Sequence, residues 1–426
     1  MTDTIFALSS GSPPAAIAVV RLSGPDAGKA LVALAGPLPP ARRASYRTLC
    51  VPRGTVLDNA LVLWFPGPHT ATGEDLAELH LHGGRAVVAA TEKALAAIPG
   101  LRPAEPGEFT RRAFTNGRID LAEAEGLADL LSAETELQRL GAIAMAGGAL
   151  SRQVSDWRGR VLTASAAVEA ALDFSDEDDA ADLSPDTRLA LHDVISELEA
   201  WLVRPRAEPL REGFRVVLAG PPNVGKSTLF NALVEDEAAI TAPTAGTTRD
   251  IITRAVAIDG VPFLFVDTAG LRDEVGDAIE AIGIDRAHAQ LDRADLVLWL
   301  GAEGEGPTAA WEIAAQSDRH YYVSAKLAPR HHVSAKTGRG LQELREDLVT
   351  TARQALPRAG DGALNRRQHD LLRNCAAALA DASQQSDPLL VAEGLRHARV
   401  ALDALVGRAA TEDMLDTLFS RFCIGK

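Results

Sequence analysis

The segment "GPPNVGKS", Gly220 to Ser227, constrains this chain more than any other, because it stands between an apolar run, "FRVVLA", and a helical one, "TLFNALV". A loop of the form G-x-x-x-x-G-K-[ST] at a strand-to-helix junction turns its backbone N–H groups onto phosphates. Its glycines let the backbone wrap the ligand, Lys226 supplies a cation to the terminal phosphates, and the Ser227 hydroxyl can ligate Mg²⁺. The segment is therefore expected to open an α/β nucleotide-binding unit, continued by the strand-like runs "PFLFVDTAG" and "ADLVLWLG".

The segments after the loop come in the order that phosphate chemistry needs. "DTAG", Asp267 to Gly270, ends a strand, so Asp267 can hold the magnesium shell while the Gly270 N–H senses a γ-phosphate. Between loop and strand end, "TAPTAGTTRD" (241–250) is rich in turn formers, and Thr248 is the natural second hydroxyl ligand for Mg²⁺. An NTPase with two switch segments, ordered by the γ-phosphate, is the implied class.

The chain has 426 residues, too many for one ordinary core, and typical domain size suggests about three domains. Residues 1–118 mix short apolar runs, "AIAVVRL", "ALVLWF" and "LAELHLH", with Gly/Pro breaks and one helical stretch, an α+β pattern. From 119 to 210 the pattern is helical, with Val154, Trp157, Val161, Val168 and Leu172 on one face. Residues 211–352 form the α/β unit, and in 353–426 helices resume, with Val391, Leu395, Ala398, Leu402 and Leu405 on one stripe. Insertion of the α/β domain into a single helical domain is the simplest account of this order, with two separate helical domains as the alternative.

Composition narrows the setting. No run approaches the roughly 20 apolar residues of a membrane helix, and "MTDTIFALSS" lacks the basic start of a signal peptide. A cytoplasmic protein with no membrane partner is expected. Cys50, Cys375 and Cys423 are too scattered for a disulfide framework or a metal site. The net charge of −15 disfavours broad polyanion binding and confines any RNA contact to a local basic site. The acidic run 173–182 reads as a solvated loop between helices.

Several motifs together are distinctive: "GPPNVGKSTLFNAL", "AGTTRD", "DTAGLR" and "EAIGIDRA", with "DTIFALSS", "LWFPGP", "TGED", "PGEFTRRAFTNGRIDLAEAEGLADL" and the terminal "FCIGK" outside the α/β unit. They resemble the tRNA-modifying GTPases of the MnmE (TrmE) family over nearly the whole chain. The implied fold is multidomain: an N-terminal α+β folate-binding-like domain that dimerises, an all-α helical domain, and an inserted α/β Ras-like P-loop GTPase domain.

The resemblance implies a GTPase stimulated by K⁺ instead of an arginine finger. It puts K⁺ on Asn223 and on backbone oxygens of Ala242, Thr244 and Thr247, where a monovalent cation offsets charge developing at the β/γ bridge. Nucleotide contacts fall on Asn223, Val224, Gly225, Lys226, Ser227 and Thr228, on Pro243, Ala245, Gly246 and Thr248 with the K⁺ loop, and on Asp267, Thr268, Ala269 and Gly270. Lys226 and Glu280 are the catalytic candidates, Glu280 orienting the attacking water, with Glu274 as the alternative. Folate contacts, for a formyl-tetrahydrofolate derivative, fall on Arg21, Glu78, Arg118 and Lys426. Cys423 is a possible functional thiol. The family works as a homodimer with an FAD-dependent MnmG/GidA-type partner on the wobble uridine of certain tRNAs, and nothing in this chain looks like a flavin site. An assembly GTPase for ribosomes or other RNA, and a GTPase-like protein with weakened guanine specificity, are the alternatives.

Base recognition is the point of departure. Val-Ser-Ala-Lys occurs twice in "YYVSAKLAPRHHVSAKTGRG" (321–340). The second copy suits the base-supporting loop, Ser334, Ala335 and Lys336. The first stands where Asn-Lys-x-Asp belongs but offers Lys326 without the asparagine or the aspartate, so weakened guanine selectivity is expected. A backbone carbonyl or Asp318 is the substitute acceptor.

Overall fold

The computed structural model describes residues 3–51, 54–173, 184–235, 238–239, 252–268, 289–318, 326–358 and 360–425. Two compact units divide the chain: Met1–Ala128 with Asp403–Lys426, and Asp129–Leu402.

In the first unit β1 (Thr4–Leu8), β2 (Ile17–Ser23), β3 (Ser45–Cys50), β4 (Val56–Phe65), β5 (Leu76–His82) and β6 (Leu101–Pro103) form one sheet in the order β3-β4-β5-β2-β1-β6. Its strands alternate as a sheet with one covered face requires: Ala18, Val20, Leu22, Leu79 and Leu81 are buried, while Val19, Arg21, Glu78 and His80 are only part-covered. Helices α1 (Ala27–Ala35) and α2 (Arg85–Ala96) put Leu31, Leu34, Val88 and Leu95 into that core. Helices α3 (Glu108–Thr115) and α4 (Leu121–Ser132) meet the C-terminal helix Glu412–Phe419 in a smaller cluster of Leu121, Ala124, Leu415, Phe419 and Phe422. The approach is close enough to demand glycine at Gly107: its φ is +69°, and a Cβ there would lie 2.2 Å from the Phe419 carbonyl oxygen.

The second unit contains helices α5 (Glu136–Ala146), α6 (Ala149–Asp173), α7 (Pro185–Leu202) and the short α8 (Ala207–Glu212), with Arg366–Gln384 and Pro388–Leu405 from beyond the α/β segment. The apolar stripes seen in the sequence are the packed faces, since Val154, Trp157, Val161 and Val168 are buried, as are Val391, Leu395, Ala398 and Leu402. Trp157 meets Trp201 edge-on at 6.2 Å and donates its indole N–H to Glu197 at 2.8 Å. Arg366–Gln384 packs against Pro185–Leu202, and Arg188 reaches the Ser383 carbonyl at 2.5 Å.

The α/β part is a second sheet, built from β7 (Phe214–Ala219), β8 (Ala238–Ala239), β9 (Ile252–Ile258), β10 (Val261–Asp267), β11 (Leu296–Trp299), β12 (Trp311–Ala314) and β13 (His331–His332) in the order β13-β12-β11-β7-β10-β9-β8. β13, β12, β11, β7 and β10 run parallel, and β9 and β8 pair antiparallel beyond them. β7, buried along nearly its whole length, is central, as an unbroken apolar run in a parallel sheet should be. No helix of the described residues is long and apolar enough to cross a membrane.

Candidate functional sites

In an open parallel sheet, ligands collect outside the carboxyl ends of the strands where the order reverses. Here β10 and β11 flank β7, so the chain leaving β7 enters such a crevice. It does so as the phosphate loop. Gly220 has φ +143° and lies so near β11's exit that a Cβ would sit 2.9 Å from the Gly301 nitrogen. Asn223 occupies the left-handed region at φ +63°, and Gly225 at φ +102° caps helix α9 (Lys226–Val234). Lys226 is 6% exposed, its ammonium donating to the carbonyls of Gly220 at 3.0 Å and Pro221 at 2.9 Å. Ser227 and Thr228 stand on the first turn of α9, Thr228 exposed, and Val224 and Gly225 are half-buried.

Asp267 ends β10 in register with Leu218 of β7 and is wholly buried. The next residue, Thr268, donates its hydroxyl to the Leu218 carbonyl at 2.9 Å, fastening the exit of β10 to the loop's own strand. A hydroxyl on α9 and a carboxylate on β10 are hard oxygen donors of the kind Mg²⁺ takes, so Ser227 and Asp267 fit that ion.

The base side departs from the sequence expectation. Because β12 is the strand parallel to β11, the chain leaves the sheet at Ala315-Gln316-Ser317-Asp318, well before Val323. Ser317 N–H donates to the Val333 carbonyl at 3.1 Å, and Ser334, fully buried, donates its hydroxyl to Asp318 Oδ1 at 2.7 Å. Ser334 of the second Ser-Ala-Lys, with Ala335 and Lys336 in the following turn, is thus paired with Asp318. Lys326 is buried elsewhere, donating to the Trp299 carbonyl at 2.6 Å and paired with Glu312. Gln316, also left-handed at φ +59°, donates its amide to the Asn223 carbonyl at 3.3 Å and so joins the base-side loop to the phosphate loop.

Ala242, Pro243, Thr244, Ala245, Gly246, Thr247, Thr248, Ala269, Gly270, Glu274, Glu280 and Lys426 lie outside the described residues.

In the first unit Arg21 and Glu78 are direct cross-strand partners of β2 and β5. Arg21 reaches Glu78 Oε1 through Nη2 at 3.0 Å and Nε at 3.2 Å, and His80 Nε2 lies 3.1 Å from the other carboxylate oxygen. Burial works to raise the Glu78 carboxyl, yet hydrogen bonds from His80 and Arg21 and the guanidinium charge hold it below the usual carboxylate range. The Phe109 ring lies 6.0 Å from the Arg21 guanidinium carbon. The C-terminal tail comes to the neighbouring strand: Gly425, at φ +96°, sits so close to β1 that a Cβ would fall 2.2 Å from the Leu8 carbonyl oxygen. Cys423 is exposed beside it in sequence. Arg118 is exposed, its stem against Gly73 in the β4–β5 connection. Arg21, Glu78 and the tail are therefore gathered around β1, β2 and β5.

One group gives no signal in the sequence. Arg112 of α3 is fully buried and pairs with Asp3 at 3.0 Å, Glu74 at 3.1 Å and Glu108 at 3.0 Å. Glu74 also accepts from the Ser23 hydroxyl at 2.8 Å. Glu108, which burial alone would raise, is held low by Arg102, the Glu105 N–H and Arg112. Glu74, Glu108 and Arg112 lie inside the "TGED" and "PGEFTRR" strings, and the network fastens α3 to the sheet that carries Arg21.

Comparison with known proteins finds matches along nearly the whole chain. The family description "GTP-binding protein TrmE N-terminus" matches residues 4–118, and "MnmE helical domain" matches residues 121–423. Curated relatives named tRNA modification GTPase MnmE include those of Novosphingobium aromaticivorans, 64% identical, and Erythrobacter litoralis, 62% identical, each match covering 100% of both chains. That of Zymomonas mobilis is 49% identical over 99% of this chain and 100% of its own. The chain belongs to the MnmE family of tRNA modification GTPases.

Proposed function

We propose that this protein is a cytoplasmic, homodimeric, K⁺-stimulated GTPase. It works with an FAD-dependent partner of the MnmG/GidA type to build an aminomethyl or carboxymethylaminomethyl group at carbon 5 of the wobble uridine of certain tRNAs. The observation that carries the GTPase reading is the convergence at one sheet edge of the phosphate loop, Asp267, and Asp318 held by Ser334. A carboxylate fixed in that position accepts from guanine N1–H and N2–H, which gives Asp318 the base-reading role and retains guanine selectivity.

Ser227 and Asp267, with Thr248, would hold Mg²⁺, and Asn223 with backbone oxygens of Ala242, Thr244 and Thr247 would hold K⁺. When bound, the two cations neutralise charge that develops on the phosphates. Lys226 contributes the fixed protein charge, and Glu280, with Glu274 as the alternative, orients water. In the first unit Arg21, Glu78, Arg118 and Lys426 bind the formyl-tetrahydrofolate derivative, with Cys423 as a possible functional thiol. The cross-strand Arg21–Glu78 pair supports this reading because it offers a planar cation and an ionised acceptor, both part-exposed, beside the Phe109 ring.

The test is mass spectrometry of tRNA nucleosides after deletion of the gene, together with GTP turnover by purified protein in KCl and NaCl. Loss of the modified wobble uridine and faster turnover in KCl are expected. Unchanged uridines in a strain without a redundant enzyme would remove the tRNA reading, and equal rates in the two salts would remove the potassium assignment.

A further inference from the structure

Two arginine-rich segments, far apart in sequence, meet in the second unit. "RPRAEPLR" (204–211) and "RRQHDLLR" (366–373) hold six arginines and two acids between them, in a chain whose net charge is −15. Their backbones are joined where the Ala207 N–H donates to the Leu364 carbonyl at 3.0 Å and the Arg366 N–H donates to Glu208 Oε1 at 2.6 Å. Together they line a cleft of about 530 Å³ with Arg206, Glu208, Pro209, Arg366, Asp370 and Arg373.

The acids of this cleft already have partners. Glu208 accepts from the Arg366 backbone through Oε1 while its Oε2 is turned into the protein, buried and without a hydrogen-bond partner, and Asp370 pairs with Arg373 and lies 3.9 Å from His369. Arg206 and Arg366 are exposed, and among the described residues neither guanidinium forms an ion pair. Arg204, two residues before Arg206, is fixed over the Trp201 ring at 4.0 Å. A planar guanidinium matches two phosphate oxygens at once and is weakly hydrated, so free guanidinium groups on a cleft wall suit a phosphodiester chain better than a carboxylate surface. Phosphate contacts of this kind position nucleic acid without reading its sequence.

We propose that the Arg206–Arg366–Arg373 cleft is an RNA-backbone contact, through which the helical part of the second unit holds tRNA. It answers the requirement that an acidic protein bind RNA only at a local basic site, and it rests on the reading that tRNA is the substrate.

The experiment measures binding of full-length protein to bulk tRNA across a salt series. It compares the wild type with Arg206→Glu/Arg366→Glu, with Arg206→Lys/Arg366→Lys, and with Arg396→Glu/Arg399→Glu on another helix. Each lost phosphate contact lowers the slope of log affinity against log salt by about one, so the cleft reversal is expected to lower it by about two and affinity by about tenfold or more. The lysine pair keeps most of the slope, and the distant reversal changes it little. GTP turnover, which uses neither arginine, is expected to be unchanged and reports folding; if the reversal disturbs it, Arg206→Gln/Arg366→Gln replaces that variant. Affinity and slope equal to wild type in the cleft variant would overturn the proposal, as would an equal loss in the distant variant. A wild type that binds no tRNA would overturn it as well, while nucleoside analysis of the deletion strain tests the tRNA reading separately.

Discussion

The Ser334 hydroxyl donates to Asp318 Oδ1 at 2.7 Å, across a gap that joins the exit of β12 to the exit of β13. On the proposed reading this one bond aims the carboxylate that reads the base, with Ala315 and Gln316 before it in place of the asparagine and lysine of a guanine-binding loop. Asp318→Asn is expected to exchange an acceptor for a donor and move preference from GTP to XTP by about tenfold to a hundredfold. Competition of GTP with XTP and ATP decides it; an unaltered preference would show that another group reads the base.

Gln316 is expected to act on the phosphate loop and not on the base. Its amide holds the Asn223 carbonyl at 3.3 Å, and both residues are in the left-handed region. Gln316→Ala frees that backbone, so the K⁺ concentration for half-maximal GTP turnover is expected to rise severalfold while turnover at saturating K⁺ stays near wild type. A K⁺ titration at fixed GTP measures both.

Among the described residues of the first unit Arg112 is the most fully enclosed cation, with three carboxylates around it. Arg112→Leu leaves those carboxylates without their counter-ion and is expected to destabilise the protein by about 3–5 kcal/mol. Thermal unfolding of the two proteins at pH 7 checks it, and an unmoved midpoint would contradict it.

Two carboxylates of the first unit, Glu108 in the Arg112 network and Glu78 between Arg21 and His80, set an acid limit. Glu108 and Glu78 are held below their ordinary values in the folded chain, so each contributes stability that is complete above the unfolded carboxylate value of about 4.3 and is lost as pH falls through the folded values. Melting temperature is therefore expected to fall from about pH 5 toward about pH 3, and Glu108→Gln, which lacks one of these groups, is expected to show a shallower fall.

Thiol chemistry separates the cysteines. Cys423 is exposed, whereas Cys375 is fully buried and its thiol is pushed up to about 12 by burial. A disulfide reagent at pH 8 is expected to modify Cys423 at once and Cys375 only after denaturation, with peptide mapping to assign each.

How much of the molecule is legible in the chain depends on where the information lies. The phosphate loop and Asp267 are legible because strand, turn and helix are contiguous there, and each residue's role follows from its neighbours. Asp318 emerges from the sequence only as a substitute because β12, "WEIA", is a 4-residue strand whose placement depends on pairing with β11. The repeated Val-Ser-Ala-Lys draws attention to Lys326, which instead satisfies Glu312 and a carbonyl inside the fold. Arg112 is invisible for another reason. An arginine within a helix reads as a surface charge, and its partners Asp3 and Glu74 come from distant parts of the sequence.

The pairing of Arg21 with Glu78 also sets what kinds of change the first unit can absorb. Val20 faces Leu79 and Leu22 faces Ala77 on the covered side, while the pair between them faces the other way. Inserting or deleting one residue within either strand turns Arg21 or Glu78 into the apolar interior and expels a core side chain in its place. Such a site can drift by substitution, residue by residue, but its strands are locked in length, and evolutionary gain or loss of sequence in this unit is confined to the connections between them.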